Sequence, residues 1–208
     1  MVDETLLHSQ RLLKVENLFQ GQCNGLLDDD CRTAIDEFEH QSDLLAEELG
    51  TFDERTEKNI RTLRLVAQRE ARLFMQRLEA AGIAKSGYQV KIICGTRTYP
   101  EQADLYAQGR SKPGIRVTKK GPGESFHNFG LAWDVGVFTT SGAYLTDKAA
   151  YKKVGRIADA PELTWGGSSW RFLFFRDYPH YQLERASQAG LDQLRASFEQ
   201  GTACPLSV

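Results

Sequence analysis

The sequence of 208 residues predicts an α+β protein: a small antiparallel sheet with flanking helices, preceded by a small helical domain. Three observations carry this expectation. Apolar residues recur at steps of three and four as far as Ala81, and beyond it the pattern changes to short apolar or alternating runs bounded by glycines. Charge divides in a similar place, with 15 acids against 7 bases up to Arg64 and 13 against 19 after it, or −8 against +6. Two units with different surfaces are therefore expected, over 1–64 and 65–208. Finally, 41% hydrophobic and 26% charged residues are enough for a packed core and exclude a mainly disordered chain.

The elements follow in order. Leu6, Leu7, Leu12, Leu13, Leu18 and Phe19 form apolar pairs near helical spacing, ended by Gly21 and Gly25. A second helix is expected over 33–38, and Asp53 is placed to cap the one that follows. The passages at 24–35 and 49–60 rhyme: each is a turn with a hydrophobe and an aspartate, then a threonine opening a helix. From about 57 to 81, Ile60, Leu63, Ala67, Ala71, Phe74, Leu78 and Ala81 fall on one face of a long helix ended by Gly82. Residues 88–94 form a strand ended by Gly95. Residues 109–123, with two prolines and several glycines, form an open loop, and 131–138 a second strand. Runs at 172–175 and 181–183 supply further strand, and a last helix lies near 191–198.

Several function classes are excluded or left open. No apolar run reaches the ~18 residues needed to cross a bilayer. The acidic start lacks the basic-then-apolar layout of a secretory signal, so a cytosolic protein, or one leaving by a route that needs no signal, is expected. No nucleic-acid partner is expected and the chain is read as a monomer. Its four cysteines form no Cys-x-x-Cys pair. Cys94 reads as a buried small hydrophobe, and a Cys23–Cys31 bridge stays open, since it depends on an oxidising compartment. His8 and His40 read as ordinary polar residues.

The informative segment runs from Ser125 to Asp134. Along its strand, Leu131, Trp133, Val135 and Val137 alternate onto a core face, while Ala132, Asp134 and Gly136 fall on the other. A carboxylate between two minimal side chains leaves room for a metal ion. His127 lies seven residues earlier, before Gly130 lets the chain turn back. His180 is the third candidate; if 179–183 is extended, His180 and Gln182 share a face while Tyr181 and Leu183 take the core. Two histidines and one carboxylate leave a tetrahedral zinc ion one open position for water.

Ser-x-His-x-x-Gly-x-Ala-x-Asp at 125–134, followed by Asp-x-x-His at 177–180, resembles the signature of the zinc D-Ala-D-Ala carboxypeptidase and L-Ala-D-Glu endopeptidase family, which includes the VanX and VanY enzymes and several phage endolysins. The likeness extends over about 69–182 and takes in the segments 95–102, 105–110 and Trp165-Gly166-Gly167. The wording around His127 and His180 is most similar to the endopeptidase branch; Tyr178 stands where lysostaphin-like relatives carry the first histidine of His-x-His. The resemblance implies Zn2+ held by His127, Asp134 and His180, with Asp177 as the catalytic carboxylate. It implies that Arg97 faces the substrate, to stabilise an oxyanion or pair with a carboxylate, and that Ser125 and Gln102 contact substrate or support the site. Residues 1–64 resemble, in degenerate form, the small three-helix peptidoglycan-binding domain. The implied function is hydrolysis of the peptidoglycan stem as an L-alanyl-D-glutamate endopeptidase, released as phage endolysins are. The alternatives are a D-alanyl-D-alanine carboxypeptidase or dipeptidase, and a non-catalytic wall-binding module of the same fold.

Overall fold

The computed structural model describes residues 2–168 and 176–202. The first helices are α1 (Glu4–Val15), α2 (Asp29–Leu49), α3 (Glu54–Ile60) and α4 (Leu65–Ala80). Asp3, Asp28 and Asp53 cap the first three, each carboxylate accepting from main-chain N–H groups of the first turn. The two rhyming passages thus end in the same device, an aspartate N-cap.

The single long helix expected over 57–81 is two helices, and hydrogen bonds from elsewhere explain the break. Along the outer edge of β1 (Tyr88–Cys94), α3 satisfies backbone groups: Thr56 Oγ1 accepts from Ile92 N at 3.2 Å and Asn59 Nδ2 donates to Ile92 O at 3.1 Å. Arg64 has extended backbone, and its N–H donates to Gly130 O at 3.0 Å. A continuous helix would pull α3 off the strand edge and leave those groups unpaired in the interior. Arg72, fully buried on α4, then bridges the two helices through paired contacts of 2.8 and 2.9 Å to Glu57.

Beyond α4 come α5 (Tyr99–Ala107), β2 (Ala132–Thr139), β3 (Tyr144–Leu145), α6 (Lys148–Ile157), β4 (Leu163–Trp165), β5 (His180–Leu183), α7 (Glu184–Ala189) and α8 (Leu191–Gln200). The sequence did not single out β3, α6, β4 or α7. The strand run expected at 172–175 lies outside the described residues. The sheet is antiparallel in the order β1-β2-β5-β4, with β3 also paired to β2.

The alternation predicted for β2 holds. Leu131, Trp133, Val135 and Val137 are all fully buried, and Phe74 of α4 meets the rings of Trp133 and Tyr181 at 6.0 and 4.7 Å. Burial of each large apolar side chain contributes about 1.5–3 kcal/mol, and this face fixes which side of the sheet Asp134 occupies. Val15, Ile60 and Leu63 belong to the same core as Trp133. A smaller cluster under α1 and α2 holds Leu13, Phe19, Cys31 and Ala34. Cys23, Cys31 and Cys94 are free thiols. Among the described residues no helix is long and apolar enough to cross a membrane.

Candidate metal centre

Three elements meet at one point on the sheet face opposite the core. Asp134 on β2 pairs in register with His180 on β5, so the two side chains stand side by side. His127 arrives from a short 3-10 turn, Phe126–Phe129, closed by Gly130 at φ 65, a left-handed conformation that favours glycine. Buried Asn128 holds that turn in place: its Nδ2 donates to Arg97 O at 2.8 Å, and its Oδ1 accepts from Gly123 N at 3.0 Å.

His127 Nε2 lies 3.2 Å from His180 Nδ1 and 3.3 Å from Asp134 Oδ1, and His180 Nδ1 lies 3.2 Å from the same oxygen. Ligands about 2.0 Å from a tetrahedral zinc ion are separated by roughly 3.3 Å along each edge. The three atoms therefore outline one face of such a tetrahedron. The outer ring nitrogens strengthen this assignment. His127 Nδ1 is 2.7 Å from Gly95 O and His180 Nε2 is 2.8 Å from Gln182 Oε1, so each donates its proton outward. Two lone pairs and a carboxylate oxygen then converge with no proton between them, an arrangement that a cation satisfies.

The electrostatics show how strongly this point draws positive charge, which a proton on an inner ring nitrogen supplies when no metal is bound. Burial opposes the charge of Asp134, yet His127 and His180 hold its carboxyl well below the usual range. Burial keeps His127 low, and the hydrogen bond and charge of Asp134 raise His180 in spite of its burial. Arg97 Nη2 lies 3.3 Å from Asp134 Oδ2, which leaves Oδ1 to face the histidines.

The remaining predicted residues separate into distinct positions. Asp177 lies beside the trio, within reach of the charges of His180, Asp134 and His127; desolvation of its carboxyl raises it despite the opposing pull of His180. Its N–H donates to Gly166 O at 3.1 Å, and its carbonyl accepts from His180 N at 3.2 Å. Gly166 has no room for a side chain, since a Cβ there would stand 2.4 Å from Asp177 O. The Trp165 indole donates to Tyr178 O at 2.9 Å, so the Trp-Gly-Gly segment clasps the turn from Asp177 to His180. Gln102 is fully buried, accepting from Arg97 Nη1 at 3.1 Å and donating to Lys120 O at 2.7 Å. Ser125 starts the His127 turn, half-buried, and its side chain caps nothing.

Two readings change. Cys94 is not a core hydrophobe: it is half-buried, and its sulfur lies within 4.8 Å of ligand atoms of His127 and Asp134. The cause is the bulge between Ile92 and Cys94, which puts Cys94 opposite Asp134 in the register. Burial and the Asp134 charge push its thiol up, away from the thiolate a metal needs. His8, read as an ordinary polar residue, is 3% exposed, packed on Phe198 and Tyr99 at ring distances of 4.8 and 5.6 Å. Asn128, Gly166 and Gln182 had no assigned role in the sequence reading; the signals were the Trp165-Gly166-Gly167 segment and the strand face that His180 shares with Gln182.

Comparison with known proteins follows the same residues. Residues 118–183 match a family model described as D-alanyl-D-alanine carboxypeptidase. The peptidoglycan L-alanyl-D-glutamate endopeptidase CwlK of Bacillus subtilis (strain 168) is 38% identical over 112 residues, which cover 50% of this chain and 65% of that protein. The chain thus spans slightly under two thirds of that relative's length. Among solved structures, a mutant of the vancomycin-resistance D,D-pentapeptidase VanY in complex with Zn(II) is similar with a TM-score of 0.39 and 18% identity, over 64% of this chain and 78% of that one. The D,D-dipeptidase VanXYg, in complex with a D-Ala-D-Ala phosphinate analogue, gives a TM-score of 0.43 and 17% identity over 68% and 56%.

Proposed function

We propose, from the premise that residues 118–183 carry a domain of the D-alanyl-D-alanine carboxypeptidase family, that this chain is a zinc-dependent peptidase of the bacterial cell-wall stem and cuts between L-Ala and D-Glu. The observation that carries the reading is the triangle of His127 Nε2, His180 Nδ1 and Asp134 Oδ1, with sides of 3.2–3.3 Å and both ring protons directed outward. The choice of bond follows the 38% identity to the B. subtilis endopeptidase.

Bound by these three residues, zinc supplies Lewis-acid polarisation of the scissile carbonyl and lowers the pKa of the attacking water. The chain supplies the proton handling. Asp177 stands beside the trio with a free carboxylate to act as general base. It accepts the proton of the attacking water and passes it to the departing amine. Arg97 orients Asp134 through Oδ2, and its charge at the same point favours negative charge developing on the carbonyl oxygen. Gln102 holds Arg97 from behind. Ser125, at the mouth of the His127 turn, offers a hydroxyl to the peptide.

Purified protein incubated with peptidoglycan fragments, with and without a chelator, tests this reading by mass spectrometry. Chelator-sensitive products with a new amino-terminal D-Glu are expected. Release of free D-Ala would replace the reading by a D,D-carboxypeptidase on the same metal site. No cleavage by the zinc-loaded protein would favour a wall-binding module.

A further inference from the structure

His180 does not donate its outer proton to a main-chain carbonyl, as His127 does. It donates to a side chain, and that side chain begins a chain of hydrogen bonds. His180 Nε2 is 2.8 Å from Gln182 Oε1. Gln182 Nε2 donates to Ser187 Oγ at 2.7 Å, and Ser187 Oγ lies 3.2 Å from Thr164 Oγ1. The Thr164 hydroxyl donates to the Glu184 carboxylate. Gln182 and Thr164 are cross-strand partners on β5 and β4, 5% and 6% exposed, while Ser187 and Glu184 come from α7.

The direction of these bonds is set from the far end. A carboxylate only accepts, so Thr164 gives its single hydroxyl proton to Glu184. Thr164 Oγ1 can then only accept from Ser187, whose one proton goes to it or to Leu183 O at 3.5 Å, and in either case Ser187 Oγ is left to accept from Gln182. That fixes the Gln182 amide with its nitrogen towards Ser187 and its oxygen towards His180. The reversed amide would set an N–H against His180 Nε2. The imidazole would then have to carry its proton on Nδ1, the atom that faces His127 and Asp134.

We infer that Gln182, oriented through Ser187 and Thr164 by Glu184, is a positioning residue that holds His180 in the tautomer whose Nδ1 is free for the metal. The inference rests on the metal reading above. Outer partners of metal-ligating histidines typically contribute about 10–100-fold in metal affinity. Three neutral side chains, Gln182, Ser187 and Thr164, stand between the ring and the carboxylate, so the negative charge stays on α7.

Two readouts test it on the full chain. The first is the zinc dissociation constant, from competition with a chromophoric chelator. The second is the His180 tautomer in zinc-free protein, from long-range 1H–15N correlation spectra. Gln182→Leu is expected to weaken zinc binding by about 10–100-fold and to remove the Nε2–H tautomer preference. Gln182→Glu keeps the acceptor and should keep both properties. Thr164→Val, nearly isosteric, cuts the chain two bonds from the ring and should loosen the tautomer preference even if Gln182→Leu folds poorly. Wild-type tautomer and affinity in both Gln182→Leu and Thr164→Val would overturn the inference. A wild-type protein with the Nε2–H tautomer but no zinc affinity would instead overturn the metal reading.

Discussion

The Nε2 atom of His127 and the Nδ1 atom of His180 stand 3.2 Å apart, and each ring sends its proton in the opposite direction. Without a cation, only a proton drawn in by Asp134 can relieve the crowding of lone pairs and carboxylate at this point. Zinc should therefore stabilise the fold strongly. At a free zinc concentration 1,000 times the dissociation constant the gain is about 4 kcal/mol, which raises the melting temperature by roughly 10 °C for a chain of this size. Calorimetry with and without chelator measures it. His180→Ala should bind no stoichiometric zinc and lose the shift altogether.

Asp177→Asn separates metal holding from proton transfer. The residue makes no contact in the triangle, so zinc content should equal that of the wild type. The turnover rate should fall by about 10²–10⁴-fold, the usual contribution of a positioned acid–base group. Retained turnover with bound zinc would assign the base elsewhere.

Gly166→Ala tests the clasp around the same turn. The added methyl would lie 2.4 Å from Asp177 O, and backbone cannot yield as a flexible side chain does. The turn from Asp177 to His180 should shift by a fraction of an ångström or more. Misplacement on the order of 1 Å lowers catalysis by about 100-fold. Steady-state kinetics beside a melting curve will show whether the loss is catalytic or global.

His8 gives a pH dependence that has nothing to do with catalysis. Its desolvation within the aromatic cluster, with Arg11 adding to it, pushes its pKa down from 6.5 to about 4. In the unfolded chain it takes up a proton as the pH falls through 6.5, while the folded chain resists until about 4. Protons therefore favour the unfolded state in that window. Stability attributable to this residue is intact above pH 6.5, declines as pH falls, and levels off below 4. At pH 5 the loss is about 2 kcal/mol. Denaturant melts at pH 7 and pH 5 should show a smaller difference for His8→Leu than for the wild type.

Much of the site was legible because its parts are local. Asp134 was found by strand alternation, since period two leaves no freedom once Trp133 and Val135 claim the core. The strand carrying His180 and the Asp53 N-cap were likewise found from short-range rules, whereas the caps at Asp3 and Asp28 were not singled out. The break between α3 and α4 was not, because Ile60, Leu63, Ala67 and Ala71 keep helical spacing across it. What breaks the helix is a strand edge some 30 residues away in sequence, through Thr56 and Asn59. Cys94 was misplaced for a related reason: a bulge slips the register by one residue and moves the side chain to the other face. His8 looked polar by its neighbours, and only the packing of α1 on Phe198 buried it. Gln182 was on the right face, yet its partners lie on α7 and β4, which no pattern in the sequence tied to it.

The two histidines differ in how open they are to inherited change. The partner of His127 is the carbonyl of Gly95, a group every residue possesses, so no substitution there can alter what the ring is bonded to except by moving the chain. The partner of His180 is a side chain, and a glutamine can become a glutamate, a leucine or a histidine in one mutational step. Selection for tighter or looser metal retention, or for a different first-row metal, thus has one dial to turn and one that is welded. Directed evolution of this centre should accumulate its changes at Gln182, Ser187 and Thr164, and few around Gly95.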